Sequence, residues 1–405
     1  MDVVLIFLGT LPGMALAALF VVIGLSFVQS ARRRKSRAGD VLGDGTPFQA
    51  DEPPEATAAD LPIEHEDPDL VERIAVSRHI ADLMLADEWT QVGDDMSDWE
   101  TDLAAAPGGA RYHDVGADVA LSGLRGLIDE AEHNALSDLA AAEEEIDHFM
   151  DTYHRNEENH VLAVLAARAH LMVGEAARAD LWPDELQRDA WRVMARHFVK
   201  AGEILQNYDT LAYMSPLLAE AKYRQALGSP GGAHKLDELF ESWIDLDPSN
   251  PLIYEIHAES LCDPDVYSDE AIMAEADKAL ARTEDTLGMG GYALFFMPLL
   301  ELREGARDLL DADLFAGAML DLASMEASQA EVNLTANALA AEMRLTDEAN
   351  TAMNDTLYLL IRWHMSVIYP RLWTLPETSI QSLVRDAAEA IPDLDQKSAN
   401  LSIAA

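Results

Sequence analysis

From Val3 to Val28 the chain carries no charged residue (VVLIFLGTLPGMALAALFVVIGLSFV). At ~1.5 Å per residue this run is about 39 Å long, enough to cross a ~30 Å hydrocarbon core with tilt. A cleavable signal peptide would place bases ahead of a shorter apolar stretch; here only Met1 and Asp2 precede it. Residues 1–30 are therefore predicted to form a transmembrane anchor. Residues 39–66 mix Gly, Pro, Ala and acidic side chains with no Lys or Arg. So little apolar surface under uniform negative charge cannot offset chain entropy. The pattern predicts a basic juxtamembrane cluster and a disordered acidic linker over 31–66.

From Asp67 onward the apolar residues return with a helical period. Asp67 is a good N-cap, with Pro68 at the first helical position, and opens the run LVERIAVSRHIADLML. Helices are predicted at about 88–103, 117–133, 136–156, 159–179, 184–207, 216–227, 233–246 and 251–262. Further ones are predicted at 268–286, 291–306, 312–326, 330–344, 347–369 and 377–388. Turn residues such as Ser229-Pro230-Gly231-Gly232 separate them, and no alternating strand pattern is present. The fold class is all-α. Short helices with short breaks point to antiparallel pairs stacked into an α-solenoid over 67–405.

One junction resembles the boundary between tetratricopeptide repeats. Phe240, Trp243 and Pro248 close one helix; Pro251, Tyr254, Ala258 and Leu261 open the next. In that family an aromatic precedes a Pro-containing turn, and a small residue on the following helix permits close approach, here Ala258. Ala271, Ala276 and Ala279 do not keep the register without insertions. The resemblance covers about one repeat boundary and implies a helical-repeat fold and protein binding.

Charge adds a direction to this picture. Lys and Arg number 28 against 73 acidic residues, a net of −45. Yet residues 1–38 carry +4, because Arg32, Arg33, Arg34, Lys35 and Arg37 follow the apolar run. The positive-inside rule then puts the N-terminus outside and the body in the cytoplasm, as a single-pass protein of the inner membrane in a bacterium. The same five bases can pair with anionic lipid at ~1 kcal/mol each. Gly9, Gly13 and Ala17 share one helix face that would allow dimerisation, although Pro12 beside it can also act as a kink. So acidic a body makes nucleic acid an unsuitable partner and favours protein partners with basic surfaces.

Candidate chemistry is sparse. Cys262 cannot form an intrachain disulfide or a thiolate metal site alone, and reads as a buried small hydrophobe. Glu130/His133, Glu145/His148 and Glu157/His160 have the three-residue spacing that places a carboxylate and an imidazole on one helix face. Ile146, Phe149 and Tyr153 form the apolar stripe of that region, so its acids and histidines read as a solvated face. Gly288-Met289-Gly290-Gly291 lacks the strand, Lys and Ser/Thr of a phosphate loop and reads as a turn. No catalytic, metal or cofactor residue is assigned. Trp182, Trp191, Tyr208, Tyr213, Tyr223, Trp243 and Tyr254 concentrate aromatics in the central third, where a concave groove would bind a partner segment. The expected function is a membrane-tethered cytoplasmic helical-repeat scaffold that binds a protein partner without catalysis. The alternatives are a metal-binding or enzymatic domain using helices 130–160, and a periplasmic domain behind an uncleaved signal anchor.

Overall fold

The computed structural model describes residues 61–132, 139–178, 181, 183–184, 186–263, 266–324, 327–345 and 351–390. The expected anchor, the five bases, the Gly9/Gly13/Ala17 face, His133 and Trp182 lie outside the described residues. Among the described residues no helix is long and apolar enough to cross a membrane.

The described residues are all-helical, with eighteen α-helices and no strand. In chain order they are α1 (Pro68–Leu85), α2 (Trp89–Asp102), α3 (Tyr112–Ala120), α4 (Ser122–Glu132), α5 (Leu139–Arg155) and α6 (His160–Ala176). Then come α7 (Gln187–Leu205), α8 (Thr210–Tyr213), α9 (Pro216–Leu227), α10 (Leu236–Leu246), α11 (Pro251–Leu261) and α12 (Asp269–Leu287). The last six are α13 (Gly290–Leu302), α14 (Ala306–Leu309), α15 (Ala312–Ser324), α16 (Gln329–Leu345), α17 (Thr351–Leu359) and α18 (Glu377–Glu389). A π-turn over Leu360–His364 continues α17.

Side-chain oxygens start these helices where the backbone N–H groups have no partner of their own. Asp67 accepts from Leu70 N at 3.0 Å, and Pro68 follows it at the first helical position. Asn159, Ser215 and Asn250 cap α6, α9 and α11, the last two again ahead of a proline. The stretch predicted as one helix at 117–133 is two, because the chain breaks at Leu121, whose side chain is buried. The glycine run after α12 turns the chain only at Gly288-Met289, where Gly288 has φ +58°; Gly290 and Gly291 already open α13, and a Cβ at Gly291 would come 2.7 Å from Ala279 O.

Two helices are apolar nearly all round, which only a buried helix tolerates. Around α6 gathers a first core, from Ile80 through Ile146, Leu165 and Phe198 to Ala221. Around α13 gathers a second, from Tyr223 through Phe240, Phe295 and Leu339 to Ala387. The two meet on α9, which gives Leu217 and Leu218 to the first and Tyr223 and Ala226 to the second. From α9 on, each helix packs against its successor or the one after: α10 on α12, α11 on α13, α13 on α15, α15 on α17. Phe240 stacks on His257 at 3.8 Å between ring centroids, the Tyr254 hydroxyl donates to Pro248 O at 2.6 Å, and Ala258 is fully buried.

Several contacts join segments far apart in sequence. A short parallel bridge pairs Ile63 with Ile368. The Ser328 hydroxyl donates to Pro107 O. Arg111, at the start of α3, donates to Asp247 in the turn before α11. A repeat array touching only its neighbours has no such ties. Here they hold the first helices against the turn before α11 and against the last third of the chain, and the Arg111–Asp247 tie borders the cleft described next.

Candidate functional site

The cleft has a volume of about 720 Å³. Its walls come from α1, α3, α4, α6, α9 and α11, with Val115, Ile128, Leu171, Met172 and Leu252 as the apolar part. Six arginines line it: Arg73, Arg111, Arg125, Arg168, Arg178 and Arg224. In a chain with 28 bases and 73 acids, that concentration sets the cleft apart from the rest of the surface. Asp114, Asp118, Asp129, Glu175 and Glu259 line it too.

Arg111 anchors the structure of the site. It is buried, as is Asp247, and its Nε donates to Asp247 Oδ2 at 2.8 Å while Nη2 reaches Asp247 Oδ1. Nη2 also donates to Ser249 Oγ at 2.7 Å and Nη1 to Leu103 O at 3.2 Å. Beside this pair Asn250 Nδ2 donates to Asp114 Oδ2 at 3.1 Å. The turn 247–250 is thereby locked to α3 and holds both cleft walls at fixed separation.

Behind two of the lining arginines, Glu220 Oε1 accepts from Arg224 Nε at 2.8 Å and lies 3.4 Å from Arg168 Nη2. Glu220 Oε2, Arg168 Nη1 and both ring nitrogens of His113 are buried without hydrogen-bond partners. Burial, with the Glu220 charge nearby, pushes the Asp114 carboxyl up to about 6 against the pull of His113. Of these groups Arg168 and Asp114 line the cleft, and an under-bonded buried arginine beside a shifted acid makes it the candidate site. Arg125 and Asp118 pair at 2.9 Å on the exposed rim, where such a pair adds little stability.

The aromatics expected to line a groove do not share a surface. Tyr208, Tyr223, Trp243 and Tyr254 are buried in the two cores: Tyr223, Trp243 and Tyr254 pack the interior faces of α9, α10 and α11, and Tyr208 fills the turn between α7 and α8. Trp191 and Tyr213 are exposed, at 56% and 43%. Of the acid–histidine pairs, Glu157 is exposed while His160 turns inward to Glu100 Oε2 at 2.9 Å, and His148 packs edge-on to Trp89. Among the described residues no group of three or more His, Cys, Asp or Glu is placed to hold a metal. Cys262 is half-buried rather than fully buried, and that burial raises its thiol pKa, the opposite of an activated nucleophile. The sequence reading missed the arginine cleft. Its signal was present in Arg168, a charge in the middle of the apolar run HVLAVLAARAHLMVGEA.

A second titratable pair lies between α6 and α7. His170 Nδ1 and His197 Nδ1 are 3.0 Å apart, so one ring donates and the other accepts, a bond that a second proton destroys. Burial, then the neighbouring His197, lowers His170 to about 4; burial also lowers His197, against the pull of Glu143. Arg196 and Lys200 on α7 act in the same sense on both. An unfolded histidine titrates near 6.5. Between about 4 and 6.5 the unfolded chain binds a proton that the fold refuses, so this contribution is whole above 6.5 and lost as pH falls. His170→Phe should therefore gain stability relative to the wild type as pH drops from 6.5 to 4, by up to roughly 3 kcal/mol. Melting curves of both proteins at half-unit pH intervals measure the difference; parallel curves would refute it.

Comparison with known proteins finds no matching family model, no matching curated protein and no matching solved structure.

Proposed function

We propose that this chain is a membrane-tethered helical-repeat scaffold that binds a protein partner in the arginine-lined cleft and performs no catalysis. The observation that carries the reading is the cleft itself: a concavity of about 720 Å³ walled by α1, α3, α4, α6, α9 and α11 and bordered by the buried Arg111–Asp247 pair. Helices that pack on their next and next-but-one neighbours from α9 to α17 support a solenoid of antiparallel pairs, and the Phe240–Leu261 junction supports its likeness to tetratricopeptide repeats. The uncharged run 3–28 followed by five bases supports the anchor and a cytoplasmic body. The acidic linker then gives the body reach from the membrane, and the −45 charge steers basic partner surfaces toward it.

A cytoplasm-active reporter fused after Ala405 is expected to be active, and an export-dependent one silent. Neutralising Arg32, Arg33, Arg34 and Lys35 should weaken that orientation. A photo-crosslinker at Leu252, on the cleft wall, should trap a partner that one on the outer face of α12 does not. An exported C-terminus would replace the cytoplasmic scaffold with a cell-envelope one, and a cleft that traps nothing in intact cells would end the docking reading.

A further inference from the structure

The outer faces of α5 and α7 carry opposite charge side by side. Both helices pack on α6, and Glu143 of α5 accepts from Arg196 of α7, which makes them neighbours. On α7, Arg188, Arg192, Arg196 and Lys200 recur every fourth residue and form one row along the helix. All four are exposed, and so is Val199 among them, at 58%. On α5, Glu144, Asp147 and Asp151 share one exposed face at spacings of three and four. Among the described residues Arg188 and Lys200 make no hydrogen bond or ion pair, and the same holds for the three carboxylates. Arg192 and Arg196 pair with Asp189 and Glu143 in the open, where an ion pair is weak and exchanges partners at little cost. Asp189 and Glu203 reduce the charge of the α7 row without reversing it, as Arg155 does on α5. One surface thus has a basic half and an acidic half.

We infer that this surface binds a second copy of the chain, α7 of each copy lying on α5 of the other. Charge complementarity commits it to that occupant. A two-fold axis lying in the contact, along the groove between α5 and α7, exchanges the two helices, so that base meets acid twice. The in-plane axis at right angles would set α5 on α5 and α7 on α7, which like charge disfavours. Seven residues from Glu144 to Asp151 advance about 10 Å and twelve from Arg188 to Lys200 about 18 Å, so the acidic row fits within the basic one. Val199 adds apolar surface to the contact. Elsewhere the copies repel, each carrying −45. At ~0.15 M salt the screening length is about 8 Å, which confines that repulsion to close approach, where the opposite rows face each other. So polar a face makes a reversible dimer. This self-association goes beyond the docking reading above and does not depend on the cleft.

The test is sedimentation equilibrium of the full-length chain in detergent, with two charge-reversed variants. One combines Arg188→Glu, Arg192→Glu and Lys200→Glu; the other combines Glu144→Lys, Asp147→Lys and Asp151→Lys. The wild type is expected to dimerise reversibly. Each variant alone should dimerise at least about tenfold more weakly, because like charges then face each other in both contacts. An equimolar mixture of the two should regain the dimer, since the acidic α7 of one then meets the basic α5 of the other, and the reverse. All six side chains are exposed, and Arg196 is kept to hold α7 to Glu143. The neutral changes Lys200→Gln and Asp151→Asn should each weaken the dimer about threefold, and they keep the test open where a reversal disturbs the helical signal. A wild type that stays monomeric, a dimer that the variants leave unchanged, or a mixture that regains nothing overturns the inference. None of these outcomes bears on the Leu252 crosslink, which tests the cleft.

Discussion

Arg111→Ala should destabilise the protein by about 3–5 kcal/mol, one of the largest effects available to a single substitution here. Its partner Asp247 is fully buried and would be left as an uncompensated charge, along with Ser249 Oγ and Leu103 O, which lose their donor. Asp247→Ala should cost a similar amount for the mirror-image reason. Replacing the two together with Met and Leu should recover most of the loss, because the penalty lies in orphaning one charge and not in lacking the pair. Denaturant unfolding followed by circular dichroism measures all three. Single variants within 1 kcal/mol of wild type would mean that solvent reaches the pair, and the cleft walls would then not be held by it.

Asn333→Ala should cost about 3 kcal/mol or more. Its amide is fully buried and makes four hydrogen bonds: Nδ2 donates to Gln329 O at 2.8 Å and Val367 O at 2.9 Å. Oδ1 accepts from Tyr369 N at 3.0 Å and Trp373 Nε1 at 2.8 Å. Truncation leaves an indole N–H, a backbone N–H and a backbone carbonyl unpaired in the interior, at roughly 1–3 kcal/mol for each group that water cannot reach. Hydrogen exchange should speed up first across residues 365–374, before α16 itself opens. Exchange that rises equally over the whole chain would contradict a local staple.

The all-helical fold was legible because α6 and α13 are apolar all round while most others show a helical period, and neither signal depends on distant contacts. Caps were legible at Asp67 for the same reason: the capping oxygen and the proline lie within four residues. The cleft was not legible. Its six arginines come from four helices, the residue ahead of α3 and the turn after α6, spread from residue 73 to residue 224, and only tertiary contacts gather them. Aromatic clustering misled for a physical reason. Tyr223, Trp243 and Tyr254 are close in sequence and large enough to fill the gap between α9, α10 and α11, so packing takes them before a ligand can. The break at Leu121 escaped because an apolar residue ends the helix there and the Ser122-Gly123 that follows lies inside the continuing helical period.

The bridge between Ile63 and Ile368 has a mechanical meaning. Glu64 N donates to Ile368 O and Ile368 N to Pro62 O, both at 2.9 Å, and Asn333 holds the strand-like segment around Ile368 in place. Tension applied upstream of Leu61 is therefore grounded in the last third of the chain, at a clip that must rip before α1 is loaded. Arg73 and the rest of the cleft wall sit behind that clip. A pull on the chain ahead of Leu61 would leave the cleft unstrained until the clip gives way.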